Sequence, residues 1–434
     1  MVVGVNLHRL TGPLRHNNSW RGAAVDTLRR PTYRSGMKLR TPGVLASLAA
    51  LLVFVSGLRA QTPAPTAAPA GNNTPAAATP ATPAAAPAAP RAPANLVSPE
   101  VAADRKVTFR LFAPEGKKVT VSGAWNNNTP HEMTKDAQGV WSVTVGPIEP
   151  GPWIYSFKLD GIDIADPINP IVKLRMRTSA SFVTVPGDGS LAWEARDVPH
   201  GAVEINWHNS KVTNDTRPFH VYTPPGYDPT GTTRYPVLYL FHGNNGTPAD
   251  WTTAGRANFI ADNFIAAKKM VPMIIVMPWG HAIPFGGPQA QNNATFERYM
   301  LEEVIPAVES KYRVKTEREN RAIMGLSMGG GHAIRIGLGN LDRFAWVAGY
   351  SAAPVPDFDT AFKALLDDPA GTNAKLKLLW LSCGRQDSLF ANNERIDATL
   401  TQHKINHTWI ARDGFHTFDY WIRCFEETAP LLFR

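Results

Sequence analysis

Ser327 lies in Gly325-Leu-Ser-Met-Gly329, a G-x-S-x-G spacing. That spacing makes a sharp strand-to-helix turn with the hydroxyl exposed at its tip. The flanking glycines are needed where any Cβ would collide with the neighbouring strand or helix. A serine hydroxyl is a weak nucleophile until a base takes its proton. Two later segments supply candidates, Cys383-Gly-Arg-Gln-Asp-Ser-Leu389 and Asp413-Gly-Phe-His-Thr-Phe-Asp419. Each follows an apolar run, so each sits where a strand delivers a loop. The expected assignment is Ser327 as nucleophile, His416 as base and Asp387 as the acid that fixes the imidazole tautomer. Asp413 and Asp419 compete with Asp387 by nearness to His416 in the sequence. His332, His403 and His407 read as structural or exposed.

Acyl transfer also needs donors for the oxyanion that develops in the transition state. Phe241-His-Gly-Asn-Asn-Gly246 leaves a buried run and turns tightly. The backbone N–H of Asn244, or of Asn245, is expected to pair with that of Met328; loss of one such donor can cost ~3 kcal/mol. His242 is expected to hold this loop. Trp251, Trp279, His281, Phe285 and Tyr350 fall on or near the same edge and are expected to form an aromatic rim for a phenolic acyl group or a sugar ring. This chemistry requires no cofactor and no metal.

The elements that must position these groups alternate. Val237-Leu-Tyr-Leu-Phe241 and Met273-Ile-Ile-Val-Met277 are continuously apolar, as strands covered on both faces should be. Phe219–Pro224, Phe344–Val347, Leu376–Ser382 and Ile405–Ile410 read as further strands. Segments 259–267, 296–312, 330–338 and 418–426 read as helices, the second with Pro306 as a kink. The pattern predicts an α/β fold over 199–434, with a mostly parallel sheet and helices on both faces.

Residues 96–190 read differently. Lys106–Phe112, Val119–Ser122, Val140–Val145 and Trp153–Leu159 alternate polar and apolar side chains between Pro/Gly turns. They predict a small all-β, immunoglobulin-like sandwich. Trp125, Trp141, Trp153 and Tyr155 in it are core or interdomain candidates, or else a sugar-binding platform. Residues 61–95 are Pro/Ala/Thr-rich and read as a semi-rigid linker.

The net charge of +8 comes from the start of the chain. Residues 1–60 hold nine Lys/Arg and one Asp, which leaves 35 basic and 35 acidic residues in the remainder. Nothing in that balance points to nucleic acid. Met37-Lys-Leu-Arg40, an apolar stretch over 45–55 and small residues near 60 form a secretory signal pattern, with Met37 a possible true start. The apolar stretch is short for a membrane span, so no stable span is expected after cleavage. The expected location is secreted or periplasmic. Cys383 and Cys424 are the two cysteines; they read either as a disulfide or as two buried thiols.

Two resemblances complete the reading. Val107-Thr-Phe-Arg-Leu-Phe-Ala-Pro114, with Val119-Thr-Val-Ser-Gly-Ala-Trp-Asn126, resembles the early-set sandwich found before glycogen-branching enzymes and some secreted esterases. Val221-Tyr-Thr-Pro-Pro-Gly-Tyr227, Leu240-Phe-His-Gly243, Arg321–Gly330, Cys383–Leu389 and Gly414-Phe-His-Thr417 resemble the esterase D, or feruloyl esterase, branch of the α/β-hydrolases, including carbohydrate esterase family one. This likeness implies Ser327, Asp387 and His416 as the triad. Phe415 departs from the glycine that many members carry there. It implies cleavage of feruloyl or acetyl esters on plant polysaccharide, with siderophore esters, an exported serine peptidase and a non-catalytic sugar binder as alternatives.

Overall fold

The computed structural model describes residues 91–434. The leader pattern at 1–60 and nearly all of the 61–95 linker lie outside the described residues.

Eight strands form the larger sheet. They are β1 (Ala202–Ser210), β2 (Asp215–Thr223), β3 (Val237–Phe241), β4 (Ile274–Pro278), β5 (Arg321–Leu326), β6 (Trp346–Tyr350), β7 (Leu378–Gly384) and β8 (Thr408–Arg412). Their spatial order is β1-β2-β4-β3-β5-β6-β7-β8. The first two pairings are antiparallel and all the others parallel. β3, β4, β5 and β6 are buried at every position. Helices cover both faces, which explains runs with no polar alternation. The register aligns Phe241 with Gly325, Gly325 with Gly349, and Gly384 with Arg412. The loops that leave β3, β5, β7 and β8 therefore emerge along one edge.

Four helices bear on that edge: α1 (Gln289–Tyr299), α2 (Met328–Gly339), α3 (Phe390–Gln402) and α4 (Phe418–Thr428). The helix expected over 296–312 starts earlier, at Gln289. It passes through a π-helical turn at Met300–Val304 before resuming at Ile305–Lys311. Pro306 lacks an N–H and its ring crowds the preceding turn, which accounts for the wider turn there. β1 carries no continuous apolar signal because it is the sheet's exposed edge. Val203, Ile205 and Trp207 face outward, Trp207 with 64% exposure.

Residues 100–185 form two packed sheets. One contains Val107–Phe112 beside Val140–Val145; the other contains Val119–Gly123, Gly151–Leu159 and Ala180–Val185. Their facing side chains make a core around Phe109, Val121, Trp141, Tyr155 and Phe157. A sugar platform from the four candidate aromatics is corrected here. Trp141, Trp153 and Tyr155 are buried, and Trp125 stacks on Phe109 at 5.3 Å. The Tyr155 hydroxyl donates to Asp166 at 2.8 Å, so even its polar end is committed inside.

Cys383, on β7, and Cys424, on α4, are both buried free thiols, so the disulfide reading is corrected too. Burial pushes the Cys383 thiol up to about 12 and raises that of Cys424 as well, so both stay un-ionised and unreactive. Among the described residues no helix is long and apolar enough to cross a membrane.

Candidate active site

β5 ends at Leu326 and α2 starts at Met328, leaving Ser327 alone at the turn. Its φ of +54° lies in a region that side chains rarely adopt. The turn closes only because its neighbours are glycines. A Cβ on Gly325 would lie 2.3 Å from the Gly329 carbonyl oxygen, and one on Gly329 would lie 2.5 Å from that of His242. The Ser327 N–H donates to Tyr350 O at 2.9 Å, and its carbonyl accepts from Ala353 N–H at 2.8 Å. The strained residue is thus bonded on both sides.

The structure brings the three sequence-predicted groups together. His416 Nε2 is 2.9 Å from Ser327 Oγ, and His416 Nδ1 is 2.7 Å from Asp387 Oδ2. The other Asp387 oxygen accepts from Leu389 N–H at 2.9 Å. Burial alone would raise the Asp387 carboxyl. The hydrogen bond to His416, with the Leu389 N–H, outweighs burial and holds it below the ordinary carboxylate value. Asp387 therefore stays ionised beside the imidazole. Trp421, which the sequence reading did not single out, meets the His416 ring edge-on at 4.8 Å. Its Nε1–H donates to Ser351 Oγ at 3.1 Å, which fixes the indole. Asp413 is 81% exposed and faces Arg385 at 3.6 Å instead of the histidine.

The β3 loop closes over the serine. A Cβ on Gly243 would meet Leu326 Cδ1 at 2.8 Å and Ser327 Cβ at 3.1 Å. His242 ties this loop down, its Nδ1–H donating to Gly243 O at 2.8 Å and its Nε2 accepting from Gly280 N–H at 2.9 Å. Burial pushes His242 down to about 4, so the ring is neutral at pH 7, as that bonding needs. The Asn245 N–H already donates to Asn244 Oδ1 at 3.0 Å.

The sandwich supports the same loop from outside. Met176 N–H donates to Asn245 O at 3.3 Å, and Arg177 N–H to Asn245 Oδ1 at 3.0 Å. Lys173 Nζ contacts Asp250 Oδ1, with each side chain only 5% exposed. Asp250 in turn accepts the Thr247 N–H at 3.2 Å. Burial pushes the Asp250 carboxyl up and the Lys173 ammonium down, and their mutual contact opposes both shifts.

Two cavities meet at Ser327. One of about 340 Å³ runs beneath the sandwich, past Ile154, Lys173 and Arg175. The other, about 720 Å³, runs along α1 past Asn293, Met328 and Pro354. None of the five expected rim aromatics lines either cavity. Trp251 and Tyr350 are fully buried, edge-on to each other at 6.2 Å. The Trp251 Nε1–H donates to Phe241 O at 2.9 Å. Trp279 is half-buried against the Arg217 guanidinium, 5.8 Å from its ring centre. His281 is buried between His242 and Phe285 and pushed down to about 3, mainly by burial. Phe285 packs under Arg177. These rings support the site from behind.

The sheet, with serine, imidazole and carboxylate meeting at one edge, defines the class: an α/β-hydrolase with serine-hydrolase chemistry, preceded by an all-β sandwich. The Esterase family model matches residues 210–431, more than half of the chain, and the chain belongs to that family. Residues 97–171 match carbohydrate-binding module 48, the isoamylase N-terminal domain. The chain is 29% identical over 342 residues to an endo-1,4-beta-xylanase/feruloyl esterase of Xylanibacter ruminicola, a match covering 77% of this chain and 46% of that protein. It is 25% identical over 216 residues to an acetyl esterase of Caldicellulosiruptor saccharolyticus, covering 43% of this chain and 78% of that protein. The chain thus spans about half the length of the xylanase/feruloyl esterase. Among solved structures, the enterobactin esterase of Shigella flexneri superposes with a TM-score of 0.56 at 19% identity, over 75% of this chain and 92% of that one. That likeness concerns the fold alone. Family and relatives together point to a carboxylic ester hydrolase.

Proposed function

We propose that the chain cleaves acyl esters of plant cell-wall polysaccharide, feruloyl or acetyl, through an acyl-enzyme on Ser327. The observation that carries this reading is the continuous contact from Ser327 Oγ through the His416 ring to the buried Asp387 carboxylate. His416 Nε2 takes the hydroxyl proton as Oγ attacks the ester carbonyl. The imidazolium that forms is stabilised by Asp387 and returns its proton to the leaving alcohol. Water then repeats the sequence on the acyl-enzyme and frees the acid. The N–H groups of Met328 and Asn244 hold the oxyanion. Asn244 is preferred over Asn245 because the latter's N–H is already donated within the loop.

The substrate class draws support from the xylanase/feruloyl esterase match, which is long enough to take in both the sandwich and the hydrolase. We assign 96–190 to the sandwich, 199–434 to the esterase domain, 61–95 to a linker and 1–60 to an export leader. Assays of methyl ferulate, acetylated xylan and a short p-nitrophenyl ester beside peptide substrates test this function. Ester turnover that disappears in Ser327→Ala is expected. Cleavage of the peptides alone, or ester turnover that survives in Ser327→Ala, overturns it.

A further inference from the structure

The cavity beneath the sandwich has more positive charge than its own residues neutralise, and acyl transfer makes no use of it. Lys173, Arg175 and Asp250 all contribute to its wall. Lys173 and Asp250 are committed to each other, and Asp250 also accepts the Thr247 N–H and hydroxyl at 3.2 and 3.3 Å. Arg175, two residues beyond Lys173, is half-buried and shares the cavity with Ser327 and His416. Its guanidinium has no hydrogen-bonded partner among the described residues; the charges of Asp250 and Asp163 attract it without contact. Asp250 is held by Lys173, and Asp163 lies 3.4 Å from Lys158. Burial works against the Arg175 charge, and Lys173 repels it. A half-buried guanidinium that lines the cavity and is bonded to nothing in the protein is open to an anionic group that enters there. Its planar fork suits a carboxylate, which can accept two parallel N–H bonds.

We propose that Arg175, supplied by the sandwich, is a specificity-determining residue that receives a carboxylate carried by the ester substrate in the cavity it shares with Ser327. This rests on the ester-hydrolase reading above and adds the charge of the substrate. The carboxylate has two possible carriers: the acyl part, as in the monoester of a dicarboxylic acid, or the alcohol part, as in a sugar chain bearing a uronic acid. The sandwich then acts in substrate selection at the reacting ester, with no separate sugar platform needed.

The test uses two matched pairs with the full chain. Monomethyl and dimethyl succinate probe the acyl side. An acetylated glucuronoxylo-oligosaccharide and its carboxyl-reduced form probe the alcohol side. The ratio of kcat/KM for the charged over the neutral member should fall by ~10-fold or more in Arg175→Gln for one pair, since a charge-assisted bond is lost. Arg175→Lys should lie between, keeping charge without the fork. A ratio unmoved in both pairs overturns the proposal. So does an equal fall for charged and neutral members, which would mean that Arg175 serves as packing or as a stacking surface. Calorimetry on Ser327→Ala, with and without Arg175→Gln, reads the same preference from binding alone. Turnover of p-nitrophenyl acetate, run beside the pairs, decides the esterase reading separately: if it too is absent that reading fails, while binding still decides the carboxylate. If it hydrolyses both without regard to charge and binding agrees, the carboxylate proposal fails and the esterase reading stands.

Discussion

Ser327, Asp387 and His416 stand on three loops at one edge of a single sheet, whereas the loop that faces them leans on a second domain. The first group inherits its geometry from parallel register: neighbouring strands end level, so their loops converge. The second depends on contacts from residues 173–177 of the sandwich, namely two backbone N–H donors to Asn245 and one buried ion pair to Asp250. The proposed proton relay is thus built into the hydrolase, while the loop proposed to hold the oxyanion and the wall of one cavity lean on the attached domain. The difference predicts that damage to the two regions will look different.

The sharpest break comes at the first region. Ser327→Ala should lower kcat on p-nitrophenyl acetate by about 10⁴-fold or more, with the fold intact by circular dichroism. Asp387→Asn should lower it by about 10³ to 10⁴-fold, because the imidazole loses both its orienting partner and the charge that stabilises its protonated form. Full activity in that variant would remove Asp387 from the assignment. At the junction, Lys173→Met should act on stability as well as rate. It leaves Asp250 charged and buried, a defect of about 3–5 kcal/mol, read from the urea midpoint. The double variant Lys173→Met with Asp250→Leu should recover much of that loss. If Lys173→Met unfolds like the wild type and keeps its rate, the contrast between the two regions fails.

The smallest effect concerns Glu426, in the cleft between the domains. Burial, opposed by Arg423, raises its carboxyl from 4.5 to about 7. A raised folded-state value stabilises the protein below the unfolded one, and that contribution is lost as pH rises through the folded value. Glu426→Gln should therefore be more stable than the wild type at pH 8 by about 1–2 kcal/mol, allowing for partial exposure, and equal to it near pH 4.5. Denaturant midpoints at the two pH values check the sign.

The first region was legible in the sequence and the second was not, for a physical reason. Ser327 and Asp387 follow buried strands and His416 a half-buried one, and each sits in a short motif whose spacing is local. The apolar runs of β3, β4 and β5 also mark themselves. Lys173 ends a two-residue strand of the sandwich and Arg175 lies in the loop after it, and only tertiary docking brings them to the serine. Nothing in the letters around them records it. The rim aromatics failed in the opposite way. Trp251 and Tyr350 flank the right edge, yet Phe418, Phe425 and Trp380 surround them and turn them inward. The helix Phe390–Gln402 went unread because only Asn393, Ile396 and Leu400 on it are buried, too narrow an apolar stripe to stand out.

The state of Cys383 and Cys424 has a practical consequence. Two enclosed thiols that remain protonated ask nothing of an oxidant. The catalytic half should reach the same form in a reducing cytoplasm as in an oxidising medium, and dithiothreitol should leave its melting temperature where it was.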